Sequence, residues 1–152
     1  MRGRERNGRT QKPHAGNPAS YLGILKNRIL SGQRILVVED EPILALDIEA
    51  ALLDAGAEVI GPAITLMVAQ KLARQNGLSA AALDVRLGEE NVYTVAYLLQ
   101  TKEIPFVFHT AHASSDLHDR WPGAPLVNKP SNPTVIVRAL AGLLGVGTKI
   151  AN

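Results

Sequence analysis

The 152-residue sequence predicts an α/β fold in which helices cover both faces of one parallel sheet. From residue 34 onward, short apolar runs of strand length alternate with longer segments of helical periodicity. Such alternation favours parallel strands joined by right-handed helical crossovers. The first run, RILVV, is short and partly β-branched, which is typical of a strand buried on both faces.

The first helix-like segment, EPILALDIEAALLDAG, has clear ends. Pro42 suits the first position of a helix, and Gly56 is typical of the residue that ends one. A second strand, AEVIGPA, is expected to end at Gly61-Pro62, and a helix capped by Thr65 follows it. The pattern then repeats through a third strand, AAALDV, a third helix, NVYTVAYLLQTK, a fourth strand, PFVFHT, a fifth strand, PLVNK, and a last helix, NPTVIVRALAGLLG.

One segment does not fit the alternation. AHASSDLHDRWPGA lies between the fourth and fifth strands, has no sustained helical period and is broken by Trp121-Pro122-Gly123. We therefore expect an irregular or mobile fourth helix there.

Charge divides the chain into parts. Residues 1–33 carry seven basic residues against one acid, a net charge of +6, whereas residues 34–152 carry a net charge of −4. We predict a disordered basic arm over 1–33, one domain over 34–147 and a tail over 148–152. A solvated arm is the simpler interpretation, so a nucleic-acid partner is not expected. An early translation start would explain the arm equally well.

Composition excludes several classes of protein. The chain has no cysteine, which rules out disulfides and thiolate sites. No apolar run approaches the roughly 18 residues of a membrane span. We expect a cytoplasmic protein without a membrane partner.

Polar residues follow the strands of the predicted sheet at the edge where ligands bind in open α/β folds. They are Glu39, Asp40 and Glu41 after the first strand, Asp84 after the third, Thr110 after the fourth and Lys129 after the fifth.

Crowded carboxylates raise one another's pKa values unless a cation lies between them, and oxygen ligands suit Mg²⁺. Glu39, Asp40 and Asp84 are the candidate metal residues, with the backbone carbonyl of Arg86. Thr110 and Lys129 are explained if a phosphoryl group arrives on a carboxylate, for which Asp84 is the candidate nucleophile. Glu41 is interpreted as a first-turn acid that favours the helix dipole.

Each of these residues also has a plain structural interpretation. Asp40 alone would be read as a helix cap, Thr110 as a strand residue and Lys129 as a surface charge. One joint site explains them better than separate coincidences. The four histidines, among them His109, lack the spacing of metal ligands and are interpreted as solvated loop residues.

The motifs ILVVEDEP, ALDVRLG, FVFHTA and VNKP stand in the order and spacing found in the receiver (CheY-like) domain of response regulators, which residues 34–145 resemble. The resemblance implies a flavodoxin-like (βα)5 doubly wound sheet of strand order 2-1-3-4-5. It also implies phosphorylation of Asp84 by a histidine kinase or histidine phosphotransfer protein, Mg²⁺ at the acids, Thr110 and Lys129 as phosphate partners, and a cis Lys129-Pro130 peptide.

The region around the fourth strand is similar to the stand-alone FATGUY receivers of alphaproteobacteria. His109, Ala111 and Ser131 depart from that motif. Leu126 stands where receivers usually carry an aromatic switch residue, so the switch must differ.

The leading hypothesis is a single-domain phosphorelay module rather than an enzyme. It would signal to an unknown downstream protein or act as a phosphate sink. The alternatives are a phosphorylation-independent binding module of the same fold and a phosphohydrolase. The phosphohydrolase would need a second acid where Arg86 stands.

Overall fold

The computed structural model describes residues 28–112 and 114–147. The five long strands and the five helices alternate along this part of the chain, with one small hairpin inserted after the third strand. The elements are β1 (Arg34–Val38), α1 (Pro42–Asp54), β2 (Glu58–Ala63), α2 (Leu66–Ala73), β3 (Ala80–Asp84), β4 (Arg86–Leu87), β5 (Glu90–Asn91), α3 (Tyr93–Thr101), β6 (Phe106–Thr110), α4 (Ser115–Arg120), β7 (Leu126–Asn128) and α5 (Pro133–Leu144).

The main sheet has five parallel strands in the order β2-β1-β3-β6-β7. Without the hairpin strands β4 and β5, which pair only with each other, this is the predicted order 2-1-3-4-5. The predicted flavodoxin-like fold is thereby confirmed. Because β3 lies at the centre, Asp84 ends the middle strand of the sheet.

Two apolar layers cover the faces of the sheet. On one face, Ile48 and Leu52 of α1 pack with Ile136 and Leu140 of α5. On the other face, α2, α3 and α4 pack against Leu36, Leu83 and Phe108. Every residue of β3 and β6 is buried, as expected of central parallel strands.

Five rings on the second face form what we call the aromatic cluster. Trp121 is 3% exposed, and its ring centroid lies 5.2 Å from that of Tyr93, 4.9 Å from Tyr97 and 5.4 Å from Phe108. Phe106 completes the cluster. The predicted irregular segment therefore forms a short helix of six residues, which Trp121 fastens to the domain.

Two predicted boundaries differ from the structure. β2 does not end at Gly61-Pro62 but continues to Ala63, with an irregular register against β1. Gly61 has φ +101°, and a Cβ there would lie 2.8 Å from the carbonyl oxygen of Val37, so only glycine lets the strand continue.

Residues 28–33, which we assigned to the arm, pack onto the domain. Leu30 is fully buried beside α1, and its amide donates to the carbonyl of Ala55 at 2.9 Å. Residues 28–33 contain two apolar residues, Ile29 and Leu30, which are too few to show a period in the sequence. The rest of the predicted arm, 1–27, and the predicted tail, 148–152, lie outside the described residues.

The expected cis peptide at Lys129-Pro130 is present. No helix in the described part of the chain has the length and apolarity of a membrane span.

Candidate functional site

The predicted site residues meet at the carboxyl edge of the sheet. Asp84 and Thr110 are the last residues of β3 and β6, and Glu39 and Asp40 directly follow β1. Most of these side chains line a cavity of about 500 Å³. Its wall consists of Asp40, Glu41, Asp84, Val85, Arg86, Gly88, Tyr93, Thr110, Ala111, His112, Ser114 and Lys129.

Three carboxylates converge at this edge. Oxygen atoms of Glu39, Asp40 and Asp84 lie within 4.8 Å of one another. The backbone N–H of Gly88 donates to Asp40 Oδ2 at 2.9 Å, and that of Arg86 donates to Asp84 Oδ1 at 3.2 Å. These bonds orient the two cavity-facing carboxylates and leave further lone pairs free for a cation.

Lys129 lies among the acids. Its Nζ donates to Asp84 Oδ2 at 3.0 Å and to Glu39 Oε1 at 3.2 Å, and it lies 3.1 Å from Glu39 Oε2. Glu39 is fully buried, Asp84 is 6% exposed, and the Lys129 side chain is 11% exposed. We call Glu39, Asp84 and Lys129 the acid–lysine cluster.

The charges of this cluster do not balance. Burial and the neighbouring charge of Glu39 raise the pKa of Asp84 to about 7, even though Lys129 opposes the shift. Burial also raises the pKa of Glu39, but the nearby His109 imidazole and the hydrogen bond from Lys129 outweigh it and bring that pKa to about 2. Burial lowers the pKa of Lys129, whereas its bonds to the two acids raise it further, so the ammonium persists.

A divalent cation fits this site because of its donor set. One lysine cannot neutralise three acids, and the pKa of Asp84 is raised by burial first and by the charge of Glu39 second. The donors are all oxygens, as Mg²⁺ prefers. Arg86 lines the same cavity. The direct roles that we assigned to Asp40, Asp84 and the Arg86 carbonyl, and the water-mediated role of Glu39, stay predictions.

Thr110 bonds locally. Its hydroxyl accepts from the N–H of His112 at 3.2 Å and lies 3.3 Å from the carbonyl oxygen of the same residue. The side chain therefore holds the loop after β6, next to Ala111 in the cavity wall. Leu126, at the usual switch position, is half buried beside Phe108 and packs against the aromatic side of the core.

The interpretation of His109 as a solvated loop residue is wrong. His109 lies within β6, is 3% exposed, and pairs in register with Asp84. Its Nδ1 lies 3.7 Å from Glu39 Oε2, and its Nε2 lies 3.2 Å from Ser131 Oγ. Strand alternation was the signal that we missed, because His109 falls on the face of Val107, which packs under α5.

Glu41 also has a different place from the expected one. It is the N-cap residue of α1 rather than part of the first turn, and its side chain makes no capping bond. Its Oε1 instead lies 3.6 Å from Lys129 Nζ, at the rim of the acid–lysine cluster.

The fold is that of receiver domains. The structure aligns with the response regulator receiver protein from Sinorhizobium medicae at a TM-score of 0.69 and 25% identity, over 76% of this chain and 97% of that one. It aligns with the receiver domain of a sensor histidine kinase from Pseudomonas aeruginosa at a TM-score of 0.65 and 25% identity, over 76% of this chain and 99% of that one. That structure has a magnesium ion coordinated in its active site cleft.

A similar full-length protein is the phyllosphere-induced regulator PhyR of Methylorubrum extorquens. The two sequences are 35% identical over 114 residues, which cover 72% of this chain and 43% of PhyR. The chain thus spans less than half of that relative. No protein-family model matches the chain.

Proposed function

We propose that this chain, which is a response regulator receiver domain, accepts a phosphoryl group on Asp84 in a Mg²⁺-dependent reaction. The observation that carries the proposal is the position of Asp84. It ends the central strand, accepts from Lys129 Nζ, and forms with Glu39 and Asp40 a cluster of oxygens that fits a cation. Bound Mg²⁺ would supply positive charge that offsets the repulsion between phosphoryl oxygens and the acids.

The transfer itself needs little covalent chemistry from the protein. An oxygen of the ionised Asp84 attacks phosphorus, and the bond between phosphorus and the donor atom breaks. The donor leaves with the bonding electrons and takes a proton from water. The Lys129 ammonium, 3.0 Å from Asp84 Oδ2, lies where it can neutralise charge on the transferring group. Thr110 is positioned in the cavity wall to donate its hydroxyl to a phosphoryl oxygen once it leaves His112.

The proposed donor is the phosphohistidine of a histidine kinase or a histidine phosphotransfer protein in the cytoplasm. The output is a contact with a downstream protein, or the removal of phosphoryl groups from a shared kinase. The domain then acts as a phosphoacceptor and not as an enzyme on a separate substrate. Membership of the FATGUY subgroup stays a prediction.

The test is to incubate the protein with Mg²⁺ and a small acyl phosphate, and to measure the intact mass. Wild type should gain one phosphoryl group and Asp84→Asn none. Asp47→Asn is the matched control because Asp47 is an exposed acid of α1 outside the cavity. Equal labelling of Asp84→Asn and wild type would refute the proposal.

The competing hypothesis is a binding module that never uses phosphorylation. It predicts that phosphotransfer profiling against the histidine kinases of the same organism finds no donor, and that partner binding is equal in wild type and Asp84→Asn. Preferred transfer from one kinase, lost in Asp84→Asn, would eliminate it.

A further inference from the structure

Two residues that depart from the pattern of similar receivers contact each other below the acid–lysine cluster. His109 Nε2 lies 3.2 Å from Ser131 Oγ, at the start of the segment that leads into α5. His109 Nδ1 lies 3.7 Å from Glu39 Oε2. The three side chains thus form a row from Ser131 through the imidazole to the fully buried carboxylate.

The chemistry of the row favours one histidine tautomer. A neutral imidazole carries its proton on one ring nitrogen, and the other nitrogen accepts a hydrogen bond. The Glu39 carboxylate accepts hydrogen bonds from the Lys129 ammonium at 3.2 Å and from the backbone N–H of Glu41 at 3.2 Å, so it is the acceptor of the row. A proton on Nδ1 points toward that acceptor, whereas a lone pair there would repel it. Nε2 must then accept, and the Ser131 hydroxyl is the donor within reach.

We propose that His109 is a positioning residue that holds the Glu39 carboxylate in place for cation binding, and that Ser131 fixes the required tautomer of His109. The inference rests on the proposed receiver function. It adds a buried polar pair to the oxygen site that the sequence predicted.

Packing alone does not explain a histidine here. Val107 and Val127, two neighbours of His109 on this face of the sheet, are apolar, and Asp84 pairs with it on the other side. An aliphatic side chain would pack against the two valines equally well. Burying an imidazole among them costs free energy unless its nitrogens are bonded. Both nitrogens lie near polar atoms, and one of those atoms belongs to the metal-site acid.

The long contact between His109 Nδ1 and Glu39 Oε2 indicates how the row could position the carboxylate. At 3.7 Å it exceeds a normal hydrogen bond, and neither Nδ1 nor Glu39 Oε2 has a hydrogen-bond partner among residues 28–112 and 114–147. Lys129 Nζ bonds Oε1 and lies 3.1 Å from Oε2. A small rotation of the carboxylate would close the Nδ1 contact and would turn Glu39 relative to Asp40 and Asp84. Loss of a hydrogen bond to a metal-ligating side chain commonly changes metal affinity by about 10- to 100-fold.

The experiment compares three replacements of His109 by Mg²⁺ titration calorimetry on the whole, unphosphorylated chain. In His109→Asn the amide nitrogen can replace Nδ1 and keep the contact with Glu39. In His109→Gln the amide reaches toward Ser131 instead, and His109→Leu keeps only volume. We expect Mg²⁺ affinity near wild type for His109→Asn, and affinity about tenfold weaker for His109→Gln and His109→Leu.

A second measurement follows the tautomer directly. In protein with ¹⁵N-labelled imidazoles, the nitrogen shifts of neutral His109 should show the proton on Nδ1. Ser131→Ala should give a mixture of tautomers and an intermediate loss of Mg²⁺ affinity without unfolding, because Ser131 lies in the loop before α5.

The outcomes separate this inference from the proposed function. Wild-type Mg²⁺ affinity in His109→Leu, or a proton on Nε2 in wild type, would overturn the positioning role, whereas labelling of Asp84 in wild type would still support the receiver function. Loss of affinity in all three His109 variants alike, His109→Asn included, would also count against it, since it would indicate a packing role.

Discussion

The acid–lysine cluster and the aromatic cluster lie close together but are held by opposite kinds of interaction. The first contains buried charges whose balance depends on pH and on a cation, and one of its acids has a pKa raised to about 7. The second consists of neutral rings at edge-to-face and tilted angles around Trp121. The stability that the aromatic cluster contributes does not depend on a bound cation, whereas the charged cluster gives up stability to keep a reactive carboxylate.

This contrast predicts that substitutions in the aromatic cluster will lower stability without abolishing phosphorylation of Asp84. Tyr93 belongs to the aromatic cluster and also lines the cavity, so it is the point where the two regions meet. Leu126 has no ring that could rotate as a switch. Tyr93 instead connects the cavity to α4, because its hydroxyl donates to Asp116 Oδ2 at 3.3 Å.

The largest expected effect on stability comes from Trp121→Ala. Removing this ring leaves a large void among Tyr93, Tyr97 and Phe108, and should cost about 3–5 kcal/mol of unfolding free energy. Asp84 should still be phosphorylated below the unfolding temperature, because Trp121 does not line the cavity. Circular dichroism in urea is the measurement, since the substitution removes the only tryptophan.

Trp121→Phe is the matched control. Nε1 of Trp121 has no hydrogen-bond partner in the described structure, so a phenyl ring loses no such bond. The variant Trp121→Phe should therefore be much less destabilised than Trp121→Ala. Two results would contradict the idea that stability and phosphorylation depend on different clusters. One is an equal loss of unfolding free energy in the two variants, and the other is loss of phosphorylation in folded Trp121→Ala.

The second effect is that of Lys129→Met. Removing one member of a buried charged group leaves its partners uncompensated, which typically costs about 3–5 kcal/mol. The loss should be near that range at pH 8 and smaller at pH 5, where Asp84 can take up a proton. Urea unfolding at both pH values measures the loss of unfolding free energy. Lys71→Met is the control because Lys71 is exposed. A loss independent of pH would show that the lysine acts through packing.

How far these regions follow from the sequence depends on the kind of signal. Strand ends are marked by their polar residues, so Asp84, Thr110 and Lys129 could be placed at one edge of the sheet before any contact was known. The burial of His109 could not be assigned from residue type, because histidine occurs both in loops and in cores. The strand through Gly61 depends on a positive φ that the sequence does not record.

A third effect is a pH dependence that belongs to the charged cluster alone. The folded pKa of Asp84, about 7, exceeds its ordinary value of 3.8, so the folded state holds more protons between these values. Without divalent cations, stability should therefore fall as pH rises from 4 to 7, by at most about 4 kcal/mol at 1.36 kcal/mol per pKa unit.

Asp84→Asn should remove that fall and stabilise the protein at pH 8, and Mg²⁺ should reduce the fall in wild type. Glu39 has the opposite sign: its pKa is lowered from 4.5 to about 2, so its contribution is present above pH 4.5 and is lost toward pH 2. Chemical unfolding at several pH values measures both. Parallel profiles for wild type and Asp84→Asn would disprove the role of Asp84.

The smallest effect concerns the exposed end of the aromatic cluster. Arg120 pairs with Asp116 at 2.9 Å, and its guanidinium lies 5.1 Å from the Tyr93 ring centroid. These exposed contacts add little to global stability but fasten α4, so Arg120→Ala should leave the urea midpoint unchanged and speed amide exchange in residues 115–120. Hydrogen–deuterium exchange compares it with Arg138→Ala, an exposed arginine of α5. Unchanged exchange in α4 would mean that Trp121 holds the helix by itself, and that the aromatic cluster needs no charge to fix its outer edge.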